Sequence, residues 1–262
     1  MTLLYRMSKK WFILFFILLA FVIGGHLHTN TLEVTHHQIC IGPRNKKLKI
    51  AHVTDLHTDG LGRIERELIK VLKIEKPDLI VITGDLATPS GTINGYREVL
   101  SHLKAPKGVF FVSGNWEYWE PIHDLKNLFI ETKITDLTNQ AKKIDSGLWL
   151  VGFDDSEEGS PHVEILKNIP SHDLKLALFH SPAFFDSIVN KIQLSFAGHS
   201  HGGQIRIPLV GSLWLPNGTG KYDQGWFEKG TSKMYVSRGI GTSILPIRVN
   251  CSPELAIIEI SY

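Results

Sequence analysis

The stretch LKIAHVTDLHTDGLGRIERELIKVLKIEKPDLIVITGDL, residues 48–86, contains the pattern that decides the fold. Residues 48–54 are mostly apolar and predict a strand. The helix that follows must end before Pro77, and its apolar face consists of Ile64, Leu68, Val71 and Leu72. A buried strand is predicted at 79–83. Strands that alternate with amphipathic helices indicate a layered α/β domain.

The pattern continues towards the C terminus with more strands than helices. A second amphipathic helix has an apolar face made of Tyr96, Val99, Leu100 and Leu103. Strands are predicted at 109–112, 149–152, 174–179, 192–197, 204–207, 234–237 and 255–260. These strands are too numerous for one short sheet. We therefore expect a four-layer α/β/β/α sandwich in which two mixed sheets pack face to face with helices outside.

The N-terminal segment differs from the rest of the chain because residues 11–25 are uncharged and strongly apolar. Arg6, Lys9 and Lys10 directly precede this run, as in a signal sequence or membrane anchor. A cleaved signal peptide is the alternative, but residues 20–26 contain no clear A-x-A site. We expect an anchor or signal-anchor at 1–28, a linker at 29–47 that acts as a tether or edge segment, and the α/β domain at 48–262.

Composition excludes some classes of protein. A chain of 262 residues with 43% hydrophobic and 21% charged residues can bury a substantial core, so disorder is not expected. The formal charge of +2 is small, and no stretch is rich enough in Lys and Arg to follow a phosphate backbone. We expect no nucleic acid partner.

Residues that can bind metals follow the predicted strands. Each of five strands is followed by one or two of them, which are Asp55, His57, Asp85, Asn115, His180, His199 and His201. We expect these strand ends to meet at one mouth. Imidazoles mixed with carboxylates and an amide suit Mn, Fe or Zn and do not suit calcium. Seven ligands are too many for one ion, so the set predicts two divalent metal ions.

The same residues lie in blocks that resemble those of the calcineurin-like metallophosphoesterase superfamily. The blocks are DLH at 55–57, GDL at 84–86, GNWE at 114–117, His180 and GHSHGG at 198–203, and they occur in the family order. The resemblance implies that one metal is held by Asp55, His57, Asp85 and His201, and the other by Asp85, Asn115, His180 and His199. Asp85 would then bridge the ions, and Asp85, Asn115 and His201 would be catalytic.

The segments GHSHGGQIRIPLVG, YVSRGIG and NCSPEL more narrowly resemble a bacterial branch whose members are exported or membrane-anchored. Some members of related branches cleave the pyrophosphate of UDP-diacylglucosamine. The resemblance implies a phosphorylated small-molecule or lipid substrate, with a phosphodiester or pyrophosphate bond hydrolysed by a metal-bridged hydroxide. Because positive residues precede the apolar run, we expect a single pass through the bacterial inner membrane with the catalytic domain on the non-cytoplasmic side. Arg44, Lys46, Lys47 and Lys49 favour the opposite orientation.

One position departs from the family, because Trp116 replaces the histidine that usually follows Gly-Asn and is thought to protonate the leaving oxygen. An indole has no titratable proton to give, so we expect Trp116 to bind substrate. A membrane-anchored metal-binding protein without activity is therefore one alternative. A second is a serine hydrolase, since GHSHG at 198–202 also matches G-x-S-x-G with Ser200 as nucleophile. No helix pattern follows Ser200, which disfavours that reading.

Overall fold

The computed structural model describes residues 24–25, 29–43 and 45–262. Most of the predicted anchor, residues 1–23 and 26–28, lies outside the described residues. In the part of the chain that is described, no helix has the length and apolar character needed to cross a bilayer.

The secondary structure is mainly β in its second half. In chain order the elements are β1 (Glu33–Cys40), β2 (Lys47–Val53), α1 (Arg63–Glu75), β3 (Leu79–Thr83), α2 (Ile93–Leu100), β4 (Val109–Val112), α3 (Trp116–Trp119), α4 (Leu125–Thr132), β5 (Ile134–Asp136), β6 (Gln140–Asp145), β7 (Leu148–Gly152), β8 (Leu174–Leu178), α5 (Phe185–Ile188), β9 (Leu194–Ala197), β10 (Arg206–Ile207), β11 (Gly211–Ser212), β12 (Gly225–Lys229), β13 (Ser232–Val236) and β14 (Glu254–Ser261). Short 3-10 helices lie at Val163–Asn168, Pro182–Phe184 and His201–Gly203.

Two six-stranded mixed sheets contain most of the strands. The first has the order β1-β14-β2-β3-β4-β5 and is parallel except between β14 and β2. The second has the order β12-β13-β9-β8-β7-β6 and is antiparallel only at its two edges. Strands β10 and β11 form a separate hairpin. The two mixed sheets predicted from the sequence are confirmed.

Alternation along β3 shows how the layers form. Leu79 and Val81 point into the core between the two sheets, whereas Ile80 and Ile82 point towards the helices. On that helical side, Leu68 of α1 and other apolar residues of α2 and α4 cover the first sheet. On the far side of the second sheet the cover is shorter and consists mainly of α5 and 3-10 turns. A strand has a two-residue period, so a strand with apolar residues on both faces contributes to two layers at once. The α/β/β/α arrangement is thus confirmed.

The segment predicted at 29–47 as a tether or edge segment contains an edge strand of the first sheet. Residues 33–40 form β1, which pairs in parallel with β14 from Glu33 opposite Glu254 to Cys40 opposite Ser261. All of its residues are exposed or half-buried, since an edge strand is only partly covered. The segment EVTHHQIC therefore lacks an apolar run, and its partner strand lies more than 200 residues away along the chain.

Candidate metal centre

The candidate site lies in the loops that follow the strands of both sheets. Five of the seven predicted ligands have a left-handed backbone: φ is 51° at Asp55, 40° at His57, 55° at Asp85, 67° at His199 and 49° at His201. This conformation is unfavourable for residues other than glycine and concentrates at functional sites. The fold therefore maintains strained loops where the strands end.

Two clusters of side chains form there and share Asp85. One consists of Asp55, His57, Asp85 and His201, and the other of Asp85, His180 and His199. Within each cluster, one ligand atom per residue lies within 4.8 Å of all the others. Asn115 adjoins the second cluster, with its Oδ1 at 3.1 Å from His180 Nε2. The structure thus brings together all seven residues that the sequence predicted as ligands.

Backbone carbonyls fix the tautomers of three of the histidines. His57 Nδ1 lies 3.0 Å from Ala87 O, and His180 Nδ1 lies 2.7 Å from Thr83 O. His199 Nε2 likewise donates to Asn217 O. A carbonyl oxygen can only accept, so each of these nitrogens bears the proton. The other nitrogen of each ring therefore presents its lone pair to the cluster, as metal-binding histidines do.

These lone pairs face other acceptors at close range. His180 Nε2 lies 3.1 Å from both Asp85 Oδ2 and His199 Nδ1. Such acceptors repel one another unless a cation or a proton lies between them. Burial lowers the pKa of His180, but the Asp85 and Asp55 carboxylates raise it to about 10, so without metal a proton takes this place. The donor set therefore fits divalent first-row metals.

His201 is held differently, by a buried arginine that the sequence did not point out. Arg248 is fully buried, and its Nη2 lies 3.2 Å from His201 Nδ1. The guanidinium also donates to the carbonyls of Arg238 and Gly241, at 2.8 and 2.5 Å. Arginine is seldom fully buried. Nothing in the local pattern of PIRVNCSPEL indicates that Arg248 contacts a histidine 47 residues away.

Glu117 connects the two loops that present Asp85 and Asn115. Its Oε2 accepts from the N–H groups of Asp85 and Gly114, at 2.9 and 2.8 Å. Its Oε1 accepts from Leu86 N and Ala87 N, at 2.8 and 3.0 Å. Four hydrogen bonds to one carboxylate fix the backbone around the shared aspartate, which accounts for the acidic residue in GNWE.

Glycine is required where these loops touch. A Cβ on Gly114 would overlap the Asp85 carboxylate. At Gly84, φ is 87° and a Cβ would lie 2.7 Å from His180 Nδ1. Both glycines therefore allow backbone to approach the ligands closely.

A cleft opens above the clusters. Its polar floor is formed by Asp85, Asn115, His199 and His201, and its apolar rim by Trp116, Trp119, Trp214 and Ile244. The Trp116 indole packs edge-on against His57, with ring centroids 5.0 Å apart. Trp116 therefore lies where a substrate would enter. His123, a second histidine considered as the source of the proton for the leaving oxygen, lies elsewhere, in a pocket beside Tyr96 and Glu120.

Ser200 lacks the surroundings of a serine nucleophile. Its side chain is buried, and Oγ accepts from Gly202 N at 3.1 Å. No histidine is hydrogen-bonded to Ser200 Oγ among the residues described. The chain continues into the 3-10 turn His201–Gly203 and then the hairpin, whereas a nucleophile elbow leads into an α-helix. The geometry does not favour the serine hydrolase alternative.

Comparison with known proteins agrees with the geometry. The family model for the calcineurin-like phosphoesterases matches residues 48–203, more than half of the chain. The chain belongs to this family. The phosphoesterase is 29% identical to an uncharacterized metallophosphoesterase of Aquifex aeolicus, over 92% of this chain and 97% of that protein. It is 31% identical to the phosphodiesterase YaeI of Escherichia coli, over 90% of this chain and 92% of that protein.

The fold of this phosphoesterase also occurs in a solved structure. The superposition on TT1561 of Thermus thermophilus covers 74% of this chain and 91% of the TT1561 chain, with a TM-score of 0.50 and 13% sequence identity. That likeness concerns the fold alone. Family membership makes the protein an enzyme, a metallophosphoesterase, and the two clusters are its candidate metal site.

Proposed function

We propose that this phosphoesterase hydrolyses a phosphodiester or pyrophosphate bond with two divalent ions. The observation that carries the proposal is the pair of clusters that share Asp85. One ion would be held by Asp55, His57, Asp85 and His201, and the other by Asp85, Asn115, His180 and His199. When bound, such ions polarise the phosphoryl group and acidify the attacking water. Asp85, Asn115 and His201 border the cleft and are our candidates for contact with the reacting group.

The protein's own contribution is to orient these ligands. The carbonyls of Thr83, Ala87 and Asn217 keep three lone pairs directed into the clusters. Glu117 fixes the loop that presents Asp85. Groups that need no reorganisation at the moment of reaction account for much of the rate of an enzyme.

Trp116 supports a preference for certain leaving groups. Among the residues described that line the cleft, the only histidines are the proposed ligands His199 and His201. General acid catalysis contributes about 10²- to 10⁴-fold where the leaving group needs a proton. A phosphate leaving group, with a pKa near ~6, does not need one, whereas an alkoxide does. Pyrophosphates, nucleotide-linked lipids such as UDP-diacylglucosamine, and aryl diesters should therefore react faster than alkyl monoesters.

The location of the enzyme is part of the proposal. The apolar run at 11–25 and the positive residues before it support a single-pass anchor in the bacterial inner membrane, with the catalytic domain on the non-cytoplasmic side. The substrate would be a phosphorylated small molecule or lipid, and no nucleic acid partner is proposed. A reporter fused after Tyr262 that is active only in the cytoplasm would reverse this orientation.

The proposed function is tested with bis(p-nitrophenyl) phosphate, an aryl diester. Activity with Mn²⁺ should be abolished by EDTA and restored by added metal, and Ser200→Ala should be nearly as active as the wild type. Activity that survives EDTA but is lost in Ser200→Ala would instead identify a serine hydrolase. Absence of turnover with Mn²⁺, Fe²⁺ or Zn²⁺ would identify an inactive metal-binding protein.

The leaving-group preference has its own test in Trp116→His. We expect the wild type to cleave a UDP-linked lipid and an aryl diester faster than an alkyl monophosphate. The substituted histidine should narrow that difference by raising the alkyl rate. If the alkyl monophosphate is already the best substrate of the wild type, the leaving-group argument is wrong.

A further inference from the structure

Exposed apolar side chains are concentrated on one side of the cleft. The β10–β11 hairpin and the residues just after it present Leu209, Val210, Leu213 and Trp214, and the nearby loop 243–247 presents Ile244 and Leu245. Leu209 is fully exposed, and Ile244 is 75% exposed. We call these six residues the apolar collar. Away from the cleft and the hairpin, the large exposed hydrophobic residues in the described chain are Ile74, Tyr118 and Ile130, which lie on three separate helices.

The collar is continuous with the candidate metal centre. Trp214 and Ile244 line the cleft together with His199 and His201. Gln204, also in the cleft wall, donates from Nε2 to Ser243 O at 2.8 Å and so connects the hairpin to the loop. A molecule that covers the collar therefore also meets the opening of the cleft.

The N-terminal apolar run ends beside the collar. Gly25, its last residue, packs so closely on Ile247 that a Cβ there would lie 2.5 Å from Ile247 Cδ1. Four residues later, Thr29 Oγ1 accepts from Arg248 N at 2.7 Å. Val249, which follows Arg248, forms an isolated β-bridge with Ile205 at the base of the hairpin. The chain thus leaves the apolar run within a few residues of Leu245.

A large exposed apolar patch is unfavourable in water and marks an interaction site. The run at 11–25 provides 15 apolar residues that would be buried in lipid, and it reaches the domain at the collar. Tryptophan is enriched at the membrane–water interface, and Trp119 and Trp214 lie at the edge of the collar and cleft. The occupant that fits both features is the lipid bilayer next to the anchor.

We propose that the apolar collar inserts into the bilayer interface, so that the cleft opens against the membrane. The substrate would then be a phosphate ester or pyrophosphate whose lipid part remains in the bilayer. This substrate class rests on the proposed hydrolytic function, whereas membrane contact of the collar does not. The two therefore need separate measurements.

Membrane contact is tested by the fluorescence of the full-length protein in phosphatidylcholine vesicles with and without dibrominated acyl chains. Brominated lipid should quench the wild type, and Trp214→Phe should lower the quenched fraction. Trp149→Phe is the control, because Trp149 lies in the second sheet with its indole N–H bound to Asp173. That variant should raise the quenched fraction by removing unquenched emission. An equal quenched fraction in Trp214→Phe and the wild type would overturn the proposal, and a protein partner would then be the occupant to seek.

The role of the collar in the hydrolysis of a lipid substrate is tested with two variants of the full chain that each gain two negative charges. Leu209→Glu/Val210→Glu places two carboxylates in the collar, and Ile74→Glu/Ile130→Glu places two on exposed positions elsewhere. In vesicles that contain a nucleoside diphosphate–diacylglycerol, the collar variant should hydrolyse this lipid at least about tenfold more slowly than the wild type. Both variants should hydrolyse soluble bis(p-nitrophenyl) phosphate at nearly the wild-type rate.

The outcomes separate the two proposals. An equal rate of lipid hydrolysis in the two variants would refute the role of the collar, even if the enzyme is active. A wild type that hydrolyses neither probe with any metal, but shows quenching that depends on Trp214, would refute the proposed function and leave the collar as a membrane contact.

Discussion

Glu117 offers a sharp test of how the site is held together. Its carboxylate accepts four backbone N–H groups, from Asp85, Leu86, Ala87 and Gly114, and touches no proposed ligand side chain in these bonds. Glu117→Gln keeps the shape of the side chain and replaces one acceptor oxygen by an NH₂ group. Two of the four N–H groups then face a donor.

The size of the loss in stability follows from the number of hydrogen bonds that Glu117→Gln removes. The residues that donate are buried, and each buried N–H left without a partner costs about 1–3 kcal/mol. The expected loss in free energy of unfolding is therefore about 2–6 kcal/mol. Because the same bonds fix the Asp85 loop, the metal affinity should also fall, by about 10- to 100-fold.

Urea unfolding at pH 7, with EDTA and with saturating Mn²⁺, measures the loss in free energy of unfolding. Calorimetric titration with Mn²⁺ measures the loss in metal affinity. Glu120→Gln is the matched control, since Glu120 is exposed at the end of the same short helix. Its stability should change by less than about 0.5 kcal/mol. If Glu117→Gln is as stable as Glu120→Gln and binds Mn²⁺ equally well, the connecting role of Glu117 is refuted.

Three further predictions concern the ligands and their surroundings. Asp85→Asn and His199→Ala should each lose activity on bis(p-nitrophenyl) phosphate by at least ~10²-fold and bind less metal, and full occupancy with an intact rate would contradict the ligand assignment. In EDTA-treated protein the pKa of His180 is about 10, against an ordinary value of 6.5, so the native state retains a proton that the unfolded state has lost. The free energy of unfolding of the metal-free protein should therefore fall as the pH rises from 6.5 through 10. Mn²⁺ uptake at pH 7 should release protons. Calorimetry in buffers of different ionisation enthalpy would detect that release, and uptake without protons would contradict the prediction. Arg248→Met should lower the unfolding free energy by about 3–5 kcal/mol, because the buried carbonyls of His201, Gly239 and Cys251 lose their donor. A urea midpoint equal to that of the wild type would show that Arg248 does not stabilise these loops.

The sequence was sufficient to predict the layers of the fold and the composition of the site. β3 is buried at all five positions and apolar at the first four, and a run of that kind between amphipathic helices has few alternatives. The seven residues that converge in the structure were predicted because each follows a strand, and parallel strands end at a common edge. The side-chain chemistry of such a set restricts the metals before any distance is known.

Other features were decided only by contacts between distant parts of the chain. β1 has no apolar run, and it is a strand because β14 pairs with it across more than 200 residues. Arg248 and Glu117 act through hydrogen bonds to backbone groups of other loops. Almost every residue type has the same backbone carbonyl and N–H, so the sequence does not indicate which of these groups they bind.

The sequence by itself therefore determined which side chains can do chemistry and on which strand ends they lie, because periodicity and residue type are local properties. The tertiary structure alone decided which ring nitrogens face the clusters and that the apolar collar lies at the end of the N-terminal apolar run. Both depend on distances between segments that no local pattern specifies, since hydrogen bonds and packing act over a few ångströms in space and not along the chain.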